Sequence, residues 1–328
     1  MDTLSEVLAA IRLTGAVFLE MTLRERWSYL TAPARAIADV LMPDADHVIP
    51  FHLLTAGACY ARLIKGEPIR LQTGDVILFP AGDRHILSAA GRSALSLKPA
   101  EITGESLHKL LTRDHVEMFE SGREGSATRI VCGFLACDGH LAEPIVRSLP
   151  RMLRISLKGD EKATWLKSSI QFSVAESAAR RPGSAMVLAR LSEVLFAEAL
   201  RQYMESNPGG QTGWLGALRD RYVGKALALL HAKPGLNWTV EELARQVGLS
   251  RSALGERFNT MVGASPIQYL TRWRISLAAS KLRQREATIL EVAREVGYES
   301  EAAFNRAFKR EYGLPPAKWR KRPVTPER

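Results

Sequence analysis

The sequence is short of three things. It holds three cysteines, Cys59, Cys132 and Cys137, in 328 residues. They make no paired framework, which excludes a disulfide scaffold and fits a reducing, cytoplasmic setting. Long apolar runs are also missing: no stretch approaches the ~18 residues needed to cross a bilayer, so no membrane partner is expected. The opening MDTLSEVLAAIRL lacks a basic stretch followed by an apolar core, so it does not read as a signal peptide. Finally, the first 220 residues have no charge excess, with 25 Lys+Arg against 25 Asp+Glu.

The net charge of +10 therefore sits in residues 221–328, which carry 20 Lys+Arg and 10 Asp+Glu. A basic third beside a neutral remainder points to a polyanionic partner for that third alone. The same third contains one pattern written twice. Ala244, Arg245, Val247 and Gly248 recur 49 residues on as Ala293, Arg294, Val296 and Gly297. Phe258, Gly263, Pro266 and Tyr269 recur 50 residues on as Phe308, Gly313, Pro316 and Trp319. The extra residue falls in the turn after the glycine.

Each copy reads as a helix-turn-helix, at about 239–262 and 289–312. In the first, Thr239 and Glu242 form a capping box, Gly248 stops the helix at φ > 0, and Ser250 caps a second helix from Arg251 to Val262. Leu243, Val247, Leu249, Leu254 and Phe258 supply its core. The outer face is left with Arg251, Ser252, Glu256 and Arg257 as base-reading candidates. In the second copy Ile289, Val292, Val296, Tyr298, Phe304 and Phe308 are core. Glu301, Asn305 and Arg306 face outward, and Asn and Arg suit adenine and guanine edges. Ile267 to Arg283 reads as one helix of about 25 Å joining the copies, a length suited to successive major grooves. Arg272, Arg274, Lys281, Lys309 and Arg310 are the candidate phosphate contacts.

Upstream, Leu4–Leu13 has helical spacing. The runs PFHLLTAGACYARLI, EPIRLQTGDVILFP, RHILSA and ATRIVCGFLAC then read as short strands, which suggests a sandwich or small barrel. Glu143–Pro150 reads as closing this β region. Trp165–Ala179 and Ser184–Glu205 read as helices, the second with a stripe of Val187 or Leu188, Leu191, Leu195, Ala199 and Tyr203, widened by Val194 and Phe196. This stripe suits packing against another helix, within the chain or across a homodimer. Asn207–Gly213 is a Pro/Gly linker, and Arg219–His231 the first helix beyond it. His52, His85 and Cys132 lie on separate strands and could meet inside a barrel; imidazole and thiolate suit zinc.

Two resemblances follow from these residues. Gly74 to His85, spaced G-x5-P-x-G-x2-H, resembles the second signature motif of the cupin jelly roll. His52 is the counterpart of the first motif, with Leu54 where its second histidine would stand. Residues 220–322 resemble the AraC/XylS-family DNA-binding domain throughout, including Ala293–Tyr298 and Ala303–Lys309; Gly255 and Glu256 stand where many relatives carry larger or basic groups. The resemblance implies an α+β two-domain protein. A cupin-like regulatory and dimerisation domain with connecting helices would span 1–206, a linker 207–213, and an AraC-type DNA-binding domain 214–328. It implies a bacterial, cytoplasmic, non-enzymatic regulator. Its expected partners are promoter DNA, RNA polymerase and a small-molecule effector, with no required cofactor and zinc as the one metal to test. The alternative is a cupin-type metalloenzyme with an accessory nucleic-acid-binding tail.

Overall fold

The computed structural model describes residues 3–11, 14–24, 26–41, 45–103, 119–121, 126–137, 139–157, 164–165, 168–169, 172, 183–206, 213–284 and 287–321. By their contacts these fall into two compact units. The first is β-rich, built from residues 14–137 together with 149–206. The second is helical. It gathers the helix Thr3–Ile11, the segment His140–Ser148 and residues 213–321.

The β unit holds eleven strands, β1 (Thr14–Leu23), β2 (Ser28–Thr31), β3 (His47–Ala56), β4 (Ala58–Leu63), β5 (Ile69–Gln72), β6 (Asp75–Leu78), β7 (His85–Ala89), β8 (Ala100–Ile102), β9 (Phe119–Ser121), β10 (Thr128–Cys137) and β11 (Leu153–Ser156). They form a six-stranded sheet, β11-β6-β3-β10-β1-β9, and a five-stranded sheet, β5-β4-β7-β2-β8. Met21, Leu54, Ile77, Ile130 and Phe134 from the first sheet pack with Cys59, Ala61, Leu71 and Leu87 from the second, so the core lies between them. The four runs expected to be strands supply β3 to β7 and β10. Between β3 and β4, Gly57 turns the chain at φ 82°, and an added Cβ would lie 3.0 Å from the Ala127 carbonyl. The connecting helix Ser184–Ser206 buries Leu195, Phe196, Ala199 and Leu200 and packs on β1 and β11. Val187 and Val194 of the expected stripe are exposed instead. Of the other expected features, residues 207–212 of the linker 207–213 and most of the helix 165–179 lie outside the described residues, and Gly213 begins the helix Gly213–Arg219.

Two expectations are corrected. Glu143–Pro150 does not close the β region. Gly139–Ser148 is a helix with Pro144 inside it, burying Leu141, Ala142 and Ile145 in the helical unit. The helix expected from Arg219 begins at Val223. Asp220 stops an earlier helix, Gly213–Arg219, and its carboxylate accepts from the N–H groups of Tyr222 (3.0 Å) and Val223 (2.9 Å).

In the helical unit Val240–Val247 and Arg251–Val262 form the first helix-turn-helix, and Ile289–Glu295 and Glu301–Tyr312 the second. Pro266–Gln284 joins them, about 28 Å long at 1.5 Å per residue. Ser250 and Ser300 cap the second helix of each pair by accepting from Ala253 and Ala303. Thr239 accepts from Glu242 N, but the full reciprocal box forms only in the second copy, at Thr288 and Glu291. Glu242 turns to Arg245 instead.

Candidate nucleic-acid interface

Two helices present their N-terminal turns outward, each anchored by a buried pair one turn apart. Leu254 and Phe258 hold the first, Phe304 and Phe308 the second, all fully buried. Aromatic packing fixes the second helix further: Phe308 stacks with Tyr312 at 4.9 Å, and Trp319 meets both rings. This anchoring sets which side chains face away from the protein.

On the first helix Arg251, Ser252 and Glu256 are exposed. Arg251 pairs with Glu241 at 2.7 Å, both side chains more than half exposed. Such a pair contributes ~1 kcal/mol or less, so a polyanion can displace it. Ser252 Oγ lies 3.2 Å from Ser250 Oγ. Arg257 is different. Its guanidinium grips the Asp220 carboxylate through Nε at 3.0–3.1 Å and through Nη2, and lies over the Tyr222 ring. Asp220 is itself nearly buried. The Arg257 hydrogen bond holds its carboxyl below the usual range. Arg257 thus ties the first recognition helix to the loop before Val223 through Nε and Nη2, while its side chain stays about half exposed. The pattern Arg219-Asp220-Arg221 gave no hint of this, because only the fold brings Asp220 beside a residue 37 positions away.

On the second helix Glu301, Arg306, Lys309 and Arg310 are exposed. Arg310 lies 3.6 Å from its chain neighbour Glu311, and Arg272 on the joining helix 3.9 Å from the same carboxylate. Asn305 is half-buried, and its Oδ1 is buried with no hydrogen-bond partner. Lys281 bridges to Glu295 at 2.5 Å. Arg274 departs furthest from the expected phosphate contact. Its Nε donates to Pro234 O (2.6 Å), its Nη2 to Leu236 O (2.7 Å) and its Nη1 to Gly297 O (3.4 Å). All three nitrogens face backbone carbonyls, so the guanidinium is anchored to the protein backbone, with only the second N–H of Nη1 and of Nη2 left over.

In the β unit the three metal candidates do come together. Cys132 and His52 are cross-strand partners on β10 and β3, and His85 reaches them from the facing sheet. They form a line rather than a cage. His85 Nδ1 lies 2.8 Å from Asp83 O and 3.1 Å from Thr31 Oγ1, while the Thr31 hydroxyl donates to His85 O. Two acceptors therefore face Nδ1, which must carry the proton. Burial lowers the His85 pKa to about 4, so the ring is neutral and its Nε2 is a bare acceptor. His52 Nε2, 2.6 Å away, must then donate, leaving His52 Nδ1 to accept from the Cys132 thiol at 2.9 Å. Burial also keeps Cys132 protonated by pushing its pKa up. Zinc needs several donors converging on one point. Here His52 uses opposite ring nitrogens for its two neighbours, and among the described residues no group of three donors converges. The expected zinc set is thus better accounted for as a directional hydrogen-bond chain.

Family comparisons fit this geometry. A cupin family model matches residues 2–205, and a helix-turn-helix domain model matches residues 243–322. The chain is 30% identical to an AraC-like transcription regulator of Streptomyces lividans, over 99% of this chain and all of that one. This protein belongs to the AraC family. It is also 28% identical to the transcriptional regulator AlkR of Acinetobacter baylyi, over 98% of this chain and 99% of that one. Among solved structures it is similar to the DNA-binding domain of AdpA in complex with target DNA. That match has 29% identity, a TM-score of 0.30, and covers 31% of this chain and 90% of that domain. As an AraC-family member the chain is a DNA-binding transcription regulator; the metalloenzyme alternative has no support among its relatives. Among the described residues no helix is long and apolar enough to cross a membrane.

Proposed function

We propose that the protein is a bacterial, cytoplasmic, promoter-specific regulator whose two recognition helices enter successive major grooves of one duplex. The observation that carries this reading is the tandem pair of capped, aromatic-anchored helices on a 19-residue joining helix, in the third of the chain that holds the whole positive excess. The second helix is the stronger reader. Arg306 is free to pair with guanine. Asn305 holds an unpaired buried oxygen, at a cost of ~1–3 kcal/mol that turning onto an adenine would relieve. The first helix, with Glu256 outward and Arg257 paired to Asp220, contributes Arg251 and Ser252. Lys309, Arg310 and Arg272 supply phosphate contacts, with Lys281 recruited if its bridge to Glu295 opens.

The β unit supplies regulation and assembly. Trp165, Phe172 and Met186 are each more than half exposed and line an apolar cleft of about 570 Å³ with Val187, Leu191 and Arg190. Contiguous exposed apolar surface marks an interaction site. We assign this face to a second copy of the chain, closing over an apolar small-molecule effector, with RNA polymerase recruited on the DNA. Binding of the full chain to a selected operator and to random duplex at matched salt tests the central reading. Arg306→Ala should cut the preference for operator about tenfold or more. Lys309→Ala should weaken both duplexes alike. Equal affinity of the wild type for both duplexes would remove specific recognition.

A further inference from the structure

Arg274 stands on the joining helix, on neither reader. Its guanidinium nevertheless touches a connecting segment of each helix-turn-helix region. Pro234 and Leu236 belong to the loop that leads into the first helix-turn-helix, and Gly297 to the turn inside the second. The loop is itself held: Leu236 N and Trp238 Nε1 both donate to Lys233 O, at 3.3 and 3.0 Å. Beside Arg274 the two segments meet directly. A Cβ on Gly297 would lie 2.7 Å from Gly235 O, 2.9 Å from Gly235 Cα and 3.0 Å from Arg274 Cζ, at a φ of +87°. Its repeat counterpart Gly248 has the same left-handed backbone, φ +84°, yet an added Cβ there would meet nothing within 4 Å. Gly248 is thus needed for its turn alone. Gly297 is needed for its turn and for close approach of the other reader's loop.

We propose that Arg274 and the Gly235–Gly297 contact form a fixed joint that sets the separation and angle of the two recognition helices, making the protein selective for the spacing of its DNA half-sites. This rests on the two-groove reading above. A planar guanidinium suits the task because it fans fixed donors toward several carbonyls, where an ammonium offers one point charge. Half-burial of the group, which pulls its pKa down, is offset by those three acceptors. A helix alone does not fix rotation of what hangs from its ends; contacts from its middle to both partners do.

The test uses the full chain and a duplex selected by the wild type from a randomised pool. Variants of this duplex gain or lose one base pair between the half-sites, a change of ~3.4 Å and about 35°. The wild type should prefer the selected spacing about tenfold or more. Arg274→Lys keeps the charge and removes the fork. Its preference should fall to within about threefold, with the salt dependence of binding unchanged. Gly235→Ala places a Cβ 3.3 Å from Glu295 O and so wedges the joint without touching Arg274. It should flatten or displace the preferred spacing, and it decides the matter if Arg274→Lys does not fold. Wild-type spacing discrimination in the folded variants overturns the joint. So does a uniform loss over all spacings with a shallower salt slope, which is the signature of a lost phosphate contact. Failure of the wild type to prefer its selected duplex over random DNA removes the two-groove reading itself, a distinct result.

Discussion

Single residues decide how the β unit's polar core is satisfied. The hydrogen-bond chain running from Cys132 through His52 and His85 to the Asp83 carbonyl has one consistent direction, and each member depends on the next. Cys132→Ala removes the donor to His52 Nδ1 and should destabilise the protein by ~1–3 kcal/mol in denaturant unfolding. Cys132→Ser keeps a donor and should cost less. Equal losses would mean that the thiol contributes packing alone. The sequence placed these three side chains on three strands and left metal or local bonding open. Only the register, which sets His52 opposite Cys132, shows that they line up instead of surrounding a point. The internal partners of Arg257 and Arg274 were hidden from the sequence for a related reason. An arginine on a basic helix looks like a nucleic-acid contact until its acceptors are known, and Asp220 and the carbonyls of Pro234, Leu236 and Gly297 come from distant turns.

Elements with strong local signals were legible. The caps Thr239 and Ser250, the left-handed Gly248, the core apolar spacing and the repeat gave both helix-turn-helix units, while the Thr288 cap went unread. The helix Gly139–Ser148 was missed because Pro144 argues against a helix interior. Strands β1, β2, β8, β9 and β11 were missed as well; β8 and β9 are three residues each, too short for alternation to show, and pairing with neighbours defines them. Gly255 carries a testable consequence at this scale. It lies inside the first recognition helix, where an added Cβ would meet nothing within 4 Å. Gly255→Ala should therefore stabilise the folded protein by about 1 kcal/mol in thermal or denaturant unfolding. A loss of stability would show that the open space is needed by the protein itself. A gain with weakened DNA binding would show that the duplex approaches the backbone there.

For the molecule as a whole, buried neutral histidines link stability to pH. Desolvation lowers the pKa of His231 to about 3 and of His85 to about 4, and holds His52 low as well. The unfolded chain binds each of these protons near pH ~6.5. Stability from these groups is thus complete above that pH and is lost as pH falls through it toward the folded values. Each histidine adds a slope of up to about 1.4 kcal/mol per pH unit in that window. His231→Gln should flatten the pH dependence of the full chain's unfolding by one proton between pH 6 and 4. A wild-type-minus-variant difference that does not change with pH would contradict a neutral buried His231.

The helical unit is assembled from three separated pieces of chain. The helix Thr3–Ile11 packs on Val223–Ala232. In the middle piece, the Ser148 hydroxyl accepts from Leu215 N, and the His140 ring lies 4.2 Å from that of Tyr312. Two of these pieces precede residue 207 in sequence. Protease nicking between 207 and 212 should consequently yield two fragments that migrate together on a sizing column and separate only in denaturant. A regulator built this way resists modular exchange: grafting residues 214–328 onto another sensor would leave behind the helices that complete it, stripping cover from the surface facing Leu141 and Ile145.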